Sequence, residues 1–307
     1  MAGVVLVTGG NSGIGLECTR ALARAGRQVF IASRNRATSE AAARAIGGQV
    51  EVLELDLASM SSVRALVHQL EQRAVPLAAL VCNAGLQFNH GPRLSDDGFE
   101  LTFAANHLGH FLLTNLLLER LGANAPARIV IVSSGVHDPA MRTGMPHPSI
   151  SDFETLARTG SGTKGRFNGR LAYVNSKLCN LWFAYELSRR LEPSQVTVNG
   201  WEPGLVPGSG LIRDYPAPIQ WVWNRVLPGL AAAINPIFAG VSTARKSGES
   251  LASLVLDPAY AGVSGKYFPS HTRWREARSS VDSYDTARAR ELWDASVRLS
   301  GLSRRGP

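Results

Sequence analysis

Cysteine is scarce in this sequence. Cys18, Cys82 and Cys179 are the whole complement of three. They stand far apart, form no CxxC pair and cannot all be bridged, which excludes a disulfide framework and fits a reducing compartment. Cys82 falls in an apolar run, where a small buried thiol is the ordinary reading. Charge is sparse as well: 18% of residues against 45% apolar. That balance excludes disorder and supplies a proper core. The formal charge of +8 admits a nucleic acid, an anionic membrane or an anionic small molecule as partner. The arginines are dispersed, however, and the densest spots are pairs such as Arg189-Arg190 and Arg304-Arg305. No basic stripe with interleaved aromatics appears, so nucleic acid is not an expected partner.

Long apolar runs are missing too. The most apolar stretch, Val226 to Val241, is interrupted by Pro228, Asn235 and Pro236 and is too short to span a bilayer. Met1 leads directly into an apolar segment at Val4, with no charged n-region or cleavage site. A cytoplasmic protein is the expectation.

What the sequence does contain is a rhythm. Short apolar runs at Val4–Val7, Gln28–Ala32, Val50–Leu55, Leu77–Cys82 and Arg128–Val132 alternate with helical patterns. These patterns cover Ile14–Ala25, an Ala-rich segment stopping near Gly47-Gly48, Ser61–Arg73 entered through Ser59, and roughly Phe99–Leu121. Strands apolar on both faces belong to a parallel sheet covered by helices. The alternation predicts an α/β fold, a single Rossmann-type doubly wound parallel sheet. Gly135–Gly169 is rich in Gly, Pro, Ser and Thr and predicts an irregular excursion, which in a compact domain is functional or disordered. A helix over about Leu171–Leu191 and a strand over Val196–Gly200 follow. Pro203–Pro236, with Trp221 and Trp223, predicts a second irregular insertion. A strand at Gly265–Phe268 and a helix over about Thr286–Ser300 close the chain. No repeat or linker divides it, so residues 1–307 are expected to form one domain with insertions at about 135–169 and 205–240.

The stretch Thr8-Gly9-Gly10-Asn11-Ser12-Gly13-Ile14-Gly15 joins the first strand to the first helix. Dinucleotide binding needs that placement: the glycines permit a tight turn and close approach to the pyrophosphate, whose charge the helix N-terminus stabilises. NAD-binding folds often carry an acid at the end of the second strand. Here that end reads Ala32-Ser33-Arg34-Asn35-Arg36. Arg34 is suited to a 2′-phosphate, which favours NADP(H).

Tyr173 and Lys177 are four apart in a helical segment and share a face. A free phenol has a pKa of about 10, too high for ready proton exchange near neutrality. A neighbouring ammonium, with the positive nicotinamide ring, is expected to favour the phenolate and lower that value. The tyrosine then serves as general acid to a carbonyl oxygen, or as base in reverse.

Thr8–Gly15, Asn83-Ala84-Gly85, Ser133-Ser134, Tyr173-Val174-Asn175-Ser176-Lys177 and Pro203-Gly204 occur in the order that short-chain dehydrogenases/reductases show. The chain resembles that superfamily over nearly its whole length. Asn106-His107-Leu108-Gly109-His110-Phe111, Ser176-Lys177-Leu178-Cys179-Asn180, the long insertion before Tyr173 and the Ala289–Leu302 tail resemble retinol dehydrogenases and light-dependent protochlorophyllide reductases. The resemblance implies that Tyr173 is the acid/base and that Lys177 tunes it and grips the nicotinamide ribose. It implies that Ser134 hydrogen-bonds the substrate oxygen, with Ser133 as a rival, and that Asn106 holds the backbone and water of a proton relay. Asp56, followed by Leu57, would sit by the adenine; Asn83, Ala84 and Gly85 would line the cofactor cleft; and Pro203, Gly204 and Val206 would flank the nicotinamide. Where the family often has a Thr touching the nicotinamide amide, this chain has Pro207-Gly208-Ser209, leaving Ser209 in that place. Protochlorophyllide reductases typically carry Tyr-Lys-Asp-Ser-Lys, whereas Val174 and Asn175 stand here.

The leading expectation is an NADP(H)-dependent carbonyl reductase acting reversibly on a bulky hydrophobic carbonyl, retinoid-, steroid- or aromatic-like. Light-driven reduction of a tetrapyrrole double bond and a non-catalytic, NADP(H)-binding regulatory role are the alternatives. The segment 219–240 reads as a lid over that substrate, with peripheral membrane contact as a second reading. His107 and His110 share a helix face but lack a carboxylate or thiol partner, so no metal is expected.

Overall fold

The computed structural model of the protein describes residues 3–161, 166–192, 195–210, 214–234 and 240–303. Seven strands form its sheet: β1 (Val4–Thr8), β2 (Val29–Ser33), β3 (Val50–Glu54), β4 (Leu77–Cys82), β5 (Ala127–Val132), β6 (Val196–Glu202) and β7 (Tyr267–Pro269). Their order is β3-β2-β1-β4-β5-β6-β7, and each neighbouring pair is parallel. Every residue of β1, β2, β4 and β5 is buried. That explains why these runs are continuously apolar rather than alternating. The expected Rossmann-type sheet is what forms. Its order reverses between β1 and β4, and ligands of such sheets lie outside the strand C-termini at that reversal.

Successive β1 residues feed two cores. Val5 and Val7 pack with Cys18 and Leu22 of α1 (Gly13–Arg24) and Leu251 and Val255 of α10 (Ala244–Leu256). Val4 and Leu6 face the other side, with α3 (Met60–Gln72), α5 (Gly109–Ala123), α7 (Gly169–Arg190) and α11 (Thr286–Leu299). There Trp293 of α11 meets Phe111 of α5 edge-on at 5.0 Å and lies 6.1 Å from Phe183 of α7. Helix starts follow side-chain caps. Asn35 accepts the Thr38 N–H at the head of α2 (Arg36–Ile46), and Ser59 accepts the Ser62 N–H at the head of α3.

Four expectations are corrected. The helix read over Phe99–Leu121 is not uniform: α4 (Leu101–Phe103), capped by the Glu100 carboxylate, passes into a π-turn over Ala104–Leu108 and only then into α5. Such turns carry one extra residue per bond, which a 3.6-residue pattern cannot reveal. The 135–169 excursion contains a 3₁₀ turn at Gly135–His137 and α6 (Phe153–Thr159), entered through Asp152; residues 162–165 lie outside the described ones. The 205–240 insertion is largely helical: α8 (Ala217–Trp221), a π-turn at Val222–Val226 and α9 (Leu227–Ile234) run on from one another. Pro228 follows directly on the π-turn, inside the continuous helical run, where its missing N–H removes one ladder bond, while Asn235, Pro236, Arg304 and Arg305 lie outside the described residues. Finally, α10 went unread. Its Gly248 looks like a break, but a Cβ there would lie 2.4 Å from the Glu17 Cβ of α1, so close helix packing is what requires glycine. Among the described residues no helix is long and apolar enough to cross a membrane.

Candidate active site

The glycine loop is built by close approach. A Cβ on Gly15 would lie 2.3 Å from the Gly9 carbonyl oxygen and 2.5 Å from the Asn83 Nδ2, so loop, helix and β4 end interlock around it. The Thr8 hydroxyl accepts the N–H groups of Asn83 and Ala84 at 2.9 and 3.0 Å, and Asn83 Nδ2 donates to the Thr8 carbonyl at 2.9 Å. These bonds tie the β1 and β4 ends together at the sheet reversal. Ser12, at the head of α1, makes no side-chain cap bond, and the first turn holds no acid. A helix N-terminus so arranged suits a phosphate.

The predicted residues other than Asn106 share one cavity of about 690 Å³, a size that encloses small molecules. Gly9, Asn11, Ser12, Gly13, Ile14 and Gly15 line one end. Ser33, Arg34, Asp56 and Leu57 line the wall where β2 and β3 finish, and Asn83, Ala84 and Gly85 the middle. Ser134, Tyr173 and Lys177 stand at the far end with Pro203, Gly204, Val206 and Ser209. Arg36 is paired with Glu40 at 2.8 Å, whereas Arg34 has no partner among the described residues. An open cation beside the loop end and an uncapped helix fit an anionic dinucleotide carrying a further phosphate.

Asn106 is not on the cavity wall. It is buried in the π-turn, where its amide donates to the Leu86 carbonyl at 2.9 Å and the Ser176 hydroxyl at 3.0 Å and accepts the Leu86 N–H at 2.8 Å. It thus holds the loop after Gly85 against α7. Ser133 and Ser134 separate clearly: Ser133 donates to the Lys177 carbonyl at 2.8 Å, leaving Ser134 as the hydroxyl beside Tyr173. His137 Nδ1 donates to the Ser134 carbonyl at 2.6 Å while its Nε2 accepts the Ser280 N–H at 3.2 Å. Both nitrogens are engaged, which fixes the neutral tautomer. His107 contacts the Ser296 hydroxyl, and His110 bridges the Thr8 hydroxyl and the Asn106 carbonyl.

Lys177 and Tyr173 lie one turn apart on α7, the ammonium 5.5 Å from the ring centroid and 3.3 Å from the Val132 carbonyl it donates to. Burial dominates the electrostatics of both groups. Burial lifts the Tyr173 phenol to about 12, with the Ser134 hydroxyl offsetting part of this and the Glu202 charge adding to it. Burial lowers the Lys177 ammonium to about 8. Desolvation of the charged form is the largest influence on the phenol and keeps it protonated.

Glu202 was missed. It ends β6, is buried, and lines the cavity beside Tyr173. A carboxylate at a strand C-terminus in a doubly wound sheet was a signal available in the sequence. Met141, Met145, Tyr215 and Trp223 line the outer part of the cavity, and nothing in the sequence pattern places the two methionines there.

A Rossmann-type sheet with a phosphate-suited glycine turn and a Tyr/Lys/Ser cluster at its carboxyl edge defines an oxidoreductase of the dinucleotide-binding class. Residues 3–145 match the short chain dehydrogenase family. Mouse retinol dehydrogenase 14 is 37% identical, with 97% of this chain and 86% of the relative aligned. The human WW domain-containing oxidoreductase is also 37% identical, over 96% of this chain and 67% of that protein. A crystal structure of an uncharacterized protein from Mycobacterium Paratuberculosis superposes with TM-score 0.70 at 30% identity, covering 97% of this chain and 93% of its own. The chain belongs to the short-chain dehydrogenase/reductase family, and within it resembles retinol dehydrogenases.

Proposed function

We propose that this protein is an NADP(H)-dependent oxidoreductase that moves hydride between the nicotinamide and a bulky apolar carbonyl or alcohol. The observation that carries this is the cavity that joins the glycine turn and Arg34, which has no partner among the described residues, to Tyr173, Ser134 and Lys177. The nicotinamide, when bound, supplies or takes up the hydride at the substrate carbon. In reduction the Tyr173 hydroxyl gives its proton to the carbonyl oxygen, and solvent later restores that proton. The Ser134 hydroxyl donates to the same oxygen, held in place through its own backbone by His137. Lys177, anchored on the Val132 carbonyl, presents a cation to the cofactor ribose and the developing oxyanion. A phenol held protonated at neutral pH is ready for the acid role in carbonyl reduction.

The outer wall supports the substrate class. Met141, Met145, Leu205, Tyr215 and Trp223 offer adaptable sulfur and aromatic surface, and the name of mouse retinol dehydrogenase 14 gives an apolar alcohol. The test is loss of NADPH absorbance across retinoid, steroid and aromatic aldehydes and ketones, repeated with NADH. Arg34→Ala is expected to raise KM for NADPH about tenfold, within what one charge-assisted hydrogen bond supplies, and to leave KM for NADH unchanged. Equal loss with both cofactors would remove Arg34 from the 2′-phosphate.

The helical segment from Ala217 to Ile234 borders the cavity through Trp223, whose indole donates to the Ser209 carbonyl at 3.0 Å. Ile219, Trp221, Val222, Val226 and Leu230 are exposed, Trp221 at 62%. An apolar patch at a cavity mouth favours peripheral contact with a lipid surface through 219–240. Trp221→Ser combined with Val226→Ser is expected to cut co-sedimentation with anionic vesicles several-fold; unchanged sedimentation ends this reading.

A further inference from the structure

Among the described residues, no cation is ion-paired with the buried carboxylate of Glu202. Its carboxylate lines the cavity and is 4% exposed. Oε1 accepts the Gly204 N–H at 2.6 Å; Oε2 accepts both the N–H and the hydroxyl of Ser270 at 2.9 Å. All three partners donate, which is the pattern of an ionised, acceptor-only carboxylate. Buried charges are normally paired, yet among the described residues Glu202 forms no ion pair. Lys177 lines the same cavity, but its ammonium donates to the Val132 carbonyl at 3.3 Å and forms no ion pair with the carboxylate. His137 is held neutral by its two hydrogen bonds, and the other groups that feel Glu202 are the phenols of Tyr173 and Tyr267. The carboxylate also holds Gly204, and so governs the Pro203–Val206 segment that borders the same end of the cavity.

We infer that Glu202 is a redox-poising residue: its buried negative charge selects the cationic, oxidised nicotinamide over the neutral, reduced one, and so drives the bound pair towards carbonyl reduction. This rests on the nicotinamide reading above. The oxidised ring is cationic whereas the reduced ring is neutral, so a carboxylate with no ion-pair partner among the described residues distinguishes two ligands of nearly identical shape. A unit charge several ångströms away in a partly buried site changes affinity roughly tenfold or more.

The test is the pair of dissociation constants for NADP⁺ and NADPH, measured by calorimetry without substrate, alongside thermal melts. Glu202→Gln is expected to weaken NADP⁺ about tenfold more than NADPH. Glu202→Asp, which keeps the charge, retains the wild-type ratio even if both affinities fall. Gln sets an amide NH₂ against a backbone N–H, so Glu202→Ala, which leaves room for water at the three donors, is the second neutral variant and must show the same skewed ratio. Parallel weakening of both ligands in the neutral variants, or an unchanged ratio, overturns the inference and leaves Glu202 as a loop clamp. Wild-type protein that binds neither NADP(H) nor NAD(H) refutes the functional reading itself, a separate result from an unmoved ratio.

Discussion

Tyr173→Phe lowers kcat for carbonyl reduction about a thousandfold, leaves the NADPH dissociation constant within about twofold, and leaves the melting temperature where it was. The magnitude is that of a positioned proton donor, on the order of 10²–10⁴. The split between kcat and binding follows from geometry. The phenol stands with Ser134 at the end of the cavity away from the glycine turn, so removing one oxygen takes away the proton without disturbing the phosphate or adenine contacts. Stability is preserved because the ring stays buried in α7 and the hydroxyl, already held in an unfavourable setting for ionisation, leaves no stranded charge. Single-turnover mixing of variant, NADPH and an apolar aldehyde checks this. Turnover within tenfold of wild type would mean that another group delivers the proton.

Lys177→Met has two opposed outcomes. Activity falls by two orders of magnitude or more, because the variant lacks the one ammonium beside the phenol. Stability at pH 7 rises, because a buried cation is removed and its stem is replaced by a side chain of similar length. The sign follows from protonation. Burial lowers the ammonium from 10.5 to about 8. Below about pH 8 both folded and unfolded chains carry the proton, and the folded state bears the whole cost of burying it, about 3 kcal/mol at most. Between about pH 8 and 10.5 the unfolded chain holds more protons than the folded one, so wild-type stability gains with pH relative to the variant. The stability advantage of Lys177→Met is therefore largest at pH 7 and shrinks towards pH 10. Urea titrations of the two proteins at pH 7, 8.5 and 10 follow it. A constant difference, or a variant less stable at pH 7, contradicts the buried-cation account.

Legibility in the sequence followed the range of the forces involved. β1, β2, β4 and β5 were readable because burial on both faces leaves unbroken apolar runs. The glycine turn was readable because its residues are contiguous. Tyr173 and Lys177 were found by their four-residue spacing, which a helix converts into adjacency. Their pKa values were not, since desolvation depends on what covers α7 and the pattern names only the neighbour. Asn106 was placed correctly in a helix-like run, but the π-turn that turns its amide onto Leu86 and Ser176 leaves no periodic trace. α10 drew no reading from the sequence, and the close contact with Glu17 that requires Gly248 is visible only in the fold. Glu202 depended on two donors, one next door in sequence and one 68 residues away, and only the fold brings Ser270 to it.

Trp293 seats on Phe111 and Phe183, and that arrangement bears on how the chain is made. The ribosome releases both phenylalanines more than a hundred residues before the indole that covers them. A nascent chain therefore carries an uncovered aromatic face, bordered by the buried His107 ring, through much of its synthesis. Such surfaces attract chaperones and one another. Arrest of translation ahead of residue 293 is expected to leave that aromatic face uncovered and prone to association.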